Sequence, residues 1–589
     1  MSEQIVSAEG TEKAERPEPR TWSSRSSLKR VRTRSQSRPR SPTYNLHRLY
    51  SRGFIDDHGN YVNDHDEPWG RTGVHDIDGT DAANEPHTEA VEEVEDPIDP
   101  DRDLERGEPL KKQKSATDKE KDPNMVSFGP KDPDNPKEWA NSRKWAAVLV
   151  VSSFTFISPV SSSMIAPALE SLSQDLGVKH ESVSAMLLSI FLLAYAVGPL
   201  FLGPMSEVYG RVPVLQLSNL FFLVFNIACG FAHTQSEMLA FRFLAGLGGS
   251  APLAIGGGIL ADCFIPEQRG KAIGVYSLAP LIGPAIGPIA GGFIDQHVSW
   301  RWIFWSVSIA DVVVQLFGLF FLQETWAPIL LERKVRRLRL STGNQNLYSS
   351  LSRNETMLHK LRTSLIRPVR MLFTQPTIQV MALYMSYLYG LIYLVISSFP
   401  RLFHSKFYYN QTIQSSGLHY IAIAIGYFIG AQFTSRFNDW LYQHLKKRNF
   451  GVGKPEFRIP ATIPCAILLP AGLFWYGWSA EARLHWIMPD IGAAMVSAGM
   501  IAGYYSIQNY VIDCYTKYAA SAVAAITMLR SMAGFGFPLF ADLMYEKLGY
   551  GWGNSVLGFV AIAIGVPAPW LMWNFGAKLR ARSGYARDG

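Results

Sequence analysis

Hydrophobic and polar residues are distributed very unevenly along this chain. Before Trp145 almost every block of ten residues contains several charged or helix-breaking residues, whereas from Trp145 onward long apolar runs alternate with short polar gaps. A run of about 20 apolar residues is what an α-helix needs to cross the ~30 Å hydrocarbon core of a bilayer. The pattern therefore predicts a polar tail, residues 1–144, joined to a helical membrane body.

The membrane body contains twelve candidate spans in two sets of six. Those of the first half (145–323) begin near residues 145, 183, 212, 238, 271 and 301, and those of the second half (377–576) near residues 377, 417, 459, 484, 519 and 552. A polar central loop (324–376) separates the halves, and residues 577–589 form a short tail. We therefore predict an all-α membrane protein made of two six-helix halves. Transporters with a substrate site near the midplane between two halves typically have this layout.

Lysine and arginine residues are concentrated in the loops on one side of these spans. Loops with almost no basic residue, such as 170–182 and 232–237, alternate with basic ones, such as the central loop and the segment 446–448. The positive-inside rule then predicts that both termini and the central loop are cytoplasmic. Of the two N-x-[ST] sequences this leaves Asn410 outside, where it could be glycosylated.

Averaged over the whole chain, the composition is that of an ordinary soluble protein, with 18% charged residues and a mean hydropathy of +0.02. Composition is informative only for the tail. An Arg/Ser-rich segment from Arg20 and an acidic one from Asp56 to Glu108 cannot bury enough apolar area to fold. We expect a disordered cytoplasmic tail. The serines that lie among its arginines are candidates for phosphorylation: Ser35, Ser37 and Ser41. The membrane body argues against a nucleic-acid partner for the basic segment.

Chemical motifs of enzymes do not occur in the membrane body. The four cysteines lie in or beside apolar runs without paired spacing, which favours packing over disulfides or a metal site. No nucleophile-base pair, metal-ligand spacing or phosphate-binding loop is present. The sequence therefore predicts a protein that is not an enzyme and binds no cofactor.

The stretch GVYSLAPLIGPAIGPIAGG, from Gly274 to Gly292, is apolar enough to cross a membrane yet rich in glycine and proline. Lipid tolerates this composition because neighbouring helices satisfy the freed backbone groups, and small residues let another helix approach closely. The stretch resembles the antiporter motif on the fifth helix of major facilitator superfamily drug exporters. The matching positions are Gly274, Gly283, Gly287, Pro288, Gly291 and Gly292. The resemblance implies a helix that serves as the surface on which the two halves close.

A second resemblance lies between the second and third spans, where GPMSEVYGRVPVL matches the loop signature of the same superfamily. Glu207 stands where the family more often has Asp, and Arg211 and Asp262 (in ADCFIPEQRGKA) also fit the subgroup. An acid at this helix end can pair with an arginine of a neighbouring helix and hold the halves shut. From 135 to 582 the chain is similar to the twelve-span drug:proton antiporters of fungi, which include multidrug, polyamine and secondary-metabolite exporters. The resemblance implies export driven by the proton gradient.

Two charged residues lie inside the predicted spans. Arg242 is only about 7 Å deep at ~1.5 Å per residue, so it either faces a cavity with a function or snorkels to the interface. It also stands where the family carries an arginine linked to proton transfer. Asp311 lies near the midplane, where desolvation favours the protonated carboxyl that a proton carrier needs. The alternative for Asp311 is a helix-helix hydrogen bond.

Polar and aromatic residues within the spans are candidates for the substrate cavity, because such a lining suits bulky, weakly polar or cationic molecules. These candidates are Ser161, Ser162, Tyr195, Asn226, Tyr389, Tyr393, Gln508, Asn509 and Tyr510. Gln508 and Asn509 stand out, since adjacent amides deep in a span are costly unless they have partners.

The leading hypothesis is a monomeric, proton-coupled exporter of small organic molecules in the plasma membrane, with the vacuolar membrane second. Uptake or facilitated diffusion through the same fold is an alternative that the glycine motif disfavours by resemblance. A non-transporting sensor that signals through the long tail is a third hypothesis, against which the charges at Arg242 and Asp311 argue.

Overall fold

The computed structural model describes residues 54–55, 61–62, 124–129, 132–351 and 357–586. The predicted phosphorylation sites Ser35, Ser37 and Ser41 and most of the predicted tail lie outside these residues. The strands β1 (Phe54–Ile55) and β2 (Tyr61–Val62) pair antiparallel in the tail. Residues 132–351 and 357–586 are nearly all helical, which confirms the predicted all-α membrane class.

The first half contains eight helices, some of which follow each other within one span. They are α1 (Asn141–Ser163), α2 (Leu169–Asp175), α3 (Glu181–Tyr209), α4 (Arg211–Gly230), α5 (Gln235–Gly249), α6 (Ala251–Cys263), α7 (Pro266–His297) and α8 (Arg301–Phe321). Strand β3 (Met125–Val126) precedes them, and the central loop contains α9 (Ala327–Thr342), β4 (Tyr348–Ser349) and α10 (Met357–Thr374).

The second half continues with seven helices. They are α11 (Pro376–Phe403), α12 (Ile413–Leu418), α13 (Tyr420–Arg448), α14 (Ile463–Glu481), α15 (Ile487–Cys514), α16 (Ala519–Gly565) and α17 (Pro567–Ala581). We call the side that bears the central loop the loop side, and the opposite side, where α1 and α11 end, the distal side.

Eleven helical segments of the described chain are long and apolar enough to cross a membrane. The last, Ala519–Ala581, has 63 residues, so at ~1.5 Å per residue it is about three times as long as the hydrocarbon core is thick. It turns at Gly549, whose φ of +70° favours glycine, and the Glu481 carboxylate accepts the N–H groups of Tyr550 and Gly551 that begin the new helix. Counting this segment as two spans would give the predicted twelve, and that count stays a prediction.

Large apolar side chains remain exposed on the outer faces of the helices, as lipid contact requires. On α8, for example, Ile309 is 61% and Phe320 77% exposed. The exposed Asn410 lies in the distal connection between α11 and α12, and its glycosylation stays a prediction.

The two halves meet along α3 and α16 and along α7 with α12 and α13. At the distal end, polar side chains join them. The Arg401 guanidinium lies 3.5 Å from carboxylate oxygens of both Glu181 and Asp542, and the His297 ring lies 3.1 Å from the Gln414 amide oxygen. No ion pair or side-chain hydrogen bond between described residues joins the halves at the loop side. Among the described residues, the ion pairs that join the halves therefore lie at the distal end.

The segment before α1 is fastened to the central loop. Strand β3 pairs parallel with β4, Lys334 of α9 forms an ion pair with Asp132, and Arg337 donates to Asp134 at 3.0 Å. Burial of Asp132 favours its neutral form, but hydrogen bonds from Lys334 and from backbone N–H groups outweigh this and hold the pKa of the carboxyl below its usual range. The pairing thus persists at neutral pH and weakens only where Asp132 takes up a proton in acid.

Candidate functional site

The loop-side end of the first half carries a cluster of buried charges around Arg211. Its guanidinium donates to Asp262 at 3.2 Å and to the Ser206 hydroxyl at 2.7 Å, and it lies 4.3 Å from the centre of the Trp326 ring. Glu324, the first residue of the central loop, accepts the N–H groups of Arg211 at 3.0 Å and of the next residue, Val212, at 3.3 Å. The sequence prediction missed Glu324.

Gly210 makes this arrangement possible. Its φ of +104° favours glycine, and a Cβ atom there would overlap the Glu324 carboxylate. The carboxylate therefore sits directly at the start of α4, where it satisfies N–H groups and the positive end of the helix dipole.

Glu207 lies in the last turn of α3, at the loop side. Its side chain is exposed and makes no ion pair with any residue that the structure describes, whereas Asp262 holds Arg211 within the same half. The cluster in this structure thus braces the first half internally, and a role for Glu207 in closing the halves stays a prediction.

We expect Glu324→Ala to lower the free energy of unfolding by about 1–3 kcal/mol, because buried N–H groups at the start of α4 lose their acceptor. The matched control is Glu207→Ala, which removes an exposed acid from the same region and should change stability by less than about 0.5 kcal/mol. Thermal unfolding of the purified variants in detergent measures both. Equal midpoints for the two variants would contradict the capping role of Glu324.

Arg242 is completely buried near the distal end of α5 and points inward, so it neither snorkels nor faces an open cavity. Its guanidinium donates to the carbonyls of Ser161 and Ser162 at 2.9 and 3.0 Å and to those of Leu187 and Leu188, both at 3.2 Å. The carbonyls of Ser161 and Ser162 belong to the last turn of α1, and the carbonyls of a last turn have no N–H partner within their own helix. Arg242 therefore caps α1 and ties it to α3.

Asn226 of α4 also forms its hydrogen bonds within the first half. Its amide accepts from the Ser161 hydroxyl at 2.9 Å and donates to the Phe304 carbonyl and the Ser308 hydroxyl, both at 2.9 Å. The expectation that Asn226 lines the cavity is corrected, because these bonds to α1 and α8 use its buried amide fully.

Asp311 of α8 is completely buried about 15 Å from the start of its helix, at mid-membrane depth. The Asn219 amide of α4 lies 3.1 and 3.0 Å from its two carboxylate oxygens and also donates to Gln315 at 2.8 Å. No arginine, lysine or histidine within the described residues forms an ion pair with Asp311. Asp311 is thus an acid without a counter-ion at the α4–α8 interface.

Four tyrosines and an arginine meet where the two halves approach each other. The Tyr195 hydroxyl of α3 hydrogen-bonds Ser158 of α1, and the rings of Tyr389 and Tyr393 of α11 lie 5.2 Å apart. The Arg530 guanidinium of α16 lies 4.9 Å from the centre of the Tyr389 ring and 5.1 Å from that of the Tyr504 ring of α15. The predicted cavity residues Tyr195, Tyr389 and Tyr393 therefore belong to one aromatic cluster.

Arg530 was missed in the sequence analysis, although the criterion that selects Arg242 also selects it. It lies eleven residues after Ala519, about 16 Å into an apolar helix. Met385 of α11, Gln508 of α15, and Val523, Ile526 and Thr527 of α16 line a cleft together with Arg530. Gln508 thus lines this cleft, and its contact with a substrate stays a prediction.

The two residues that follow Gln508 in the chain do not line this cleft. Tyr510 is buried against α17, where its hydroxyl lies 4.0 Å from the Met572 sulfur, so the expectation that it lines the cavity is corrected. Asn509 is half-buried beside it and does not line this cleft. Because an α-helix has 3.6 residues per turn, three consecutive side chains point in different directions. The sequence prediction placed all three in one cavity.

The glycine residues of α7 pack mainly within the first half. A Cβ atom at Gly287 would lie 2.7 Å from the Ser163 hydroxyl and 2.8 Å from the Val160 carbonyl, and one at Gly291 would overlap the Met164 carbonyl. At Gly274 a Cβ atom would meet nothing within 4 Å. The expectation that this motif is the surface between the halves is therefore corrected for Gly287 and Gly291, which lie against the end of α1.

Gly292 and Pro288 are the part of the motif that faces the second half. A Cβ atom at Gly292 would lie 3.0 Å from the Ile413 carbonyl and 3.3 Å from the Gly417 Cα of α12. A Cβ atom at Gly417 would lie 2.9 Å from the Pro288 carbonyl. One close backbone contact thus joins the halves, next to the distal polar contacts.

Gly283 packs against α1, as Gly287 and Gly291 do. A Cβ atom at Gly283 would lie 2.9 Å from the Pro159 Cβ and 3.2 Å from the Val160 nitrogen.

Comparison with known proteins fits this architecture. Residues 151–538 match the Major Facilitator Superfamily. The chain belongs to this superfamily. It is 50% identical to the efflux pump vrtL of Penicillium aethiopicum over 82% of this chain and 96% of that protein. It is 42% identical to an uncharacterized transporter of Schizosaccharomyces pombe over 82% of this chain and 98% of that protein.

The fold of this superfamily member is also that of a solved transporter. A structure of the xylose transporter XylE from E. coli superposes with a TM-score of 0.52 at 15% identity and covers 73% of this chain and 99% of that one. These matches confirm a multi-pass membrane transporter of the fungal exporter subgroup and the prediction that it is not an enzyme.

Proposed function

We propose that this transporter is a proton-coupled antiporter that exports small organic molecules from the cytoplasm by alternating access. The observation that carries the proposal is Asp311, a mid-membrane carboxyl whose only polar partner in the described chain is an amide. An acid in such a place can take up and hold a proton, because desolvation disfavours the carboxylate and no cation of the described chain stabilises it.

Alternating access is supported by the asymmetry of the contacts between the halves. Ion pairs and the Gly292–Gly417 contact close the distal end, whereas the described residues make no comparable bridge at the loop side. If the loop side is cytoplasmic, as the distribution of basic residues predicts, this arrangement favours a transport cycle in which the halves separate first on the cytoplasmic side.

Export is the direction that the relatives favour, since several are named efflux pumps, among them vrtL and radE. The cargo would be a drug, a toxin, a polyamine or a secondary metabolite. A proton gradient of two pH units contributes about 2.7 kcal/mol per proton, which can sustain a cargo gradient of roughly a hundredfold. We further propose a monomer in the plasma membrane, with the vacuolar membrane second, both termini in the cytoplasm, and no cofactor besides the proton gradient.

Asp311→Asn is expected to fold and to lose export driven by a pH gradient at least roughly tenfold, because the amide keeps the bond to Asn219 but cannot carry a proton. Exchange of labelled cargo against unlabelled cargo at equal pH should persist, since it needs no net proton movement. Both are measured in vesicles that contain the purified protein. The control Asp439→Asn removes a 67% exposed acid of α13 and should retain coupling.

Two results would contradict the proposal at different levels. If Asp311→Asn exports as well as the wild type under a pH gradient, another group carries the proton. If export by the wild type is indifferent to collapse of the gradient, the protein is a facilitative transporter.

A further inference from the structure

Arg530 is a charged side chain at mid-membrane depth without an anionic partner among the residues that the structure describes. A guanidinium in apolar surroundings is costly unless acceptors or a counter-ion compensate it. Arg242, the other deep arginine, has four carbonyl acceptors, whereas the Nε of Arg530 is buried and makes no hydrogen bond. The guanidinium also hydrogen-bonds the Tyr504 side chain, so the donor that the fold leaves unused is the Nε–H.

Two tyrosine rings position this guanidinium. Tyr389 of α11 and Tyr504 of α15 lie within 5.1 Å of it, and cation–π contacts of this kind compensate only part of the cost of burial. They hold the planar group between three helices of the second half. The side chain of Arg530 is partly exposed, and the cleft that it lines has a volume of about 10 Å³, so a cargo molecule would enter it only when the surrounding helices move apart.

The cleft offers hydrogen-bonding groups but no acid. Gln508 and Thr527 lie beside Arg530, and the remaining lining residues are apolar. The deep acid of the described spans, Asp311, belongs to the α4–α8 interface of the other half and bonds to Asn219 there. The electrostatic field in the cleft is therefore positive, which attracts anions and repels cations.

From this geometry we infer that Arg530 binds the acidic group of the cargo, and that the cargo class is small organic acids with an aromatic or conjugated body. The inference deepens the proposed function and rests on it. A carboxylate can accept two parallel N–H bonds from a guanidinium, and the rings of Tyr389 and Tyr504 suit a flat body next to it. It also narrows the sequence-based expectation, which includes cationic molecules such as polyamines.

Binding of two dyes to the purified full-length protein in detergent tests this inference. Carboxyfluorescein is an aromatic anion and ethidium an aromatic cation, and fluorescence anisotropy measures the affinity for each. We expect the wild type to bind carboxyfluorescein and to prefer it to ethidium. Arg530→Gln should weaken binding of the anion about 10- to 100-fold, since a charge-assisted pair is lost. The affinity of Arg530→Lys for the anion should lie between those of the wild type and Arg530→Gln, because lysine keeps the charge but lacks the planar guanidinium.

Arg436→Gln is the control for the loss of one positive charge, since Arg436 is exposed on α13, and it should bind both dyes as the wild type does. An unchanged affinity for the anion in Arg530→Gln, a wild type that prefers ethidium, or a wild type that does not bind carboxyfluorescein would overturn the inference. Binding in detergent needs no gradient. Normal Arg530-dependent binding with gradient-independent export from vesicles would therefore reject proton coupling while leaving this inference intact.

Discussion

Replacement of Arg242 by lysine is expected to reduce transport at least roughly tenfold although the positive charge is kept. The guanidinium reaches carbonyls on two helices, Ser161 and Ser162 of α1 and Leu187 and Leu188 of α3. The three donors of a lysine radiate from one nitrogen and cannot span both sites. Each lost charge-assisted bond costs about 1.5–3 kcal/mol, so we also expect a lower thermal midpoint of the purified protein.

The matched control for this variant is Arg436→Lys, because Arg436 is exposed on α13. A change at an exposed surface position shifts stability by less than about 0.5 kcal/mol, so the control should retain both stability and transport. A thermal midpoint and a transport rate of Arg242→Lys equal to those of the control would show that charge alone matters at Arg242.

Gly291→Leu is the second change with a large expected effect. Because even a Cβ atom at this position would overlap the Met164 carbonyl, the side chain must push the end of α1 away from α7. That end bears the carbonyls of Ser161 and Ser162 that bind Arg242. We expect a loss of transport of roughly tenfold or more, with unchanged preference among the cargoes that are still carried.

Gly274→Leu on the same helix is the control, since a Cβ atom there meets nothing within 4 Å. Transport of both variants is measured at equal amounts of protein in the membrane. Equal rates would show that close packing of α7 against α1 is not required. A changed cargo preference in Gly291→Leu would instead place the glycine in the substrate cavity.

The spans, their order and the division into halves could be predicted from the sequence, because crossing a membrane imposes a length and an apolar composition on each helix. The same reasoning predicts that charged residues deep in a span have a structural or functional role. Their hydrogen-bond partners could not be predicted, because the sequence does not show which helix faces Arg242 or Asp311. The four carbonyl acceptors of Arg242 are backbone atoms, which every residue has and no sequence pattern marks.

The errors at Asn226 and Tyr510 have one cause. A polar side chain within a span satisfies its hydrogen bonds either toward a cavity or toward a neighbouring helix, and residue type does not distinguish the two. Glu324 was missed because its role depends on Gly210, whose positive φ brings the start of α4 against a carboxylate 114 residues later in the chain. Arg530 could have been found from its depth alone.

The positive cleft around Arg530 has a consequence for the electrical behaviour of transport. If one organic monoanion leaves the cytoplasm while one proton enters, two elementary charges move in the same electrical sense in each cycle. At about 2.3 kcal/mol per charge for 100 mV, a membrane potential that is negative inside then adds about 4.6 kcal/mol to export. Transport should therefore produce a current, and clamping the voltage to zero should slow export even when the pH gradient is intact.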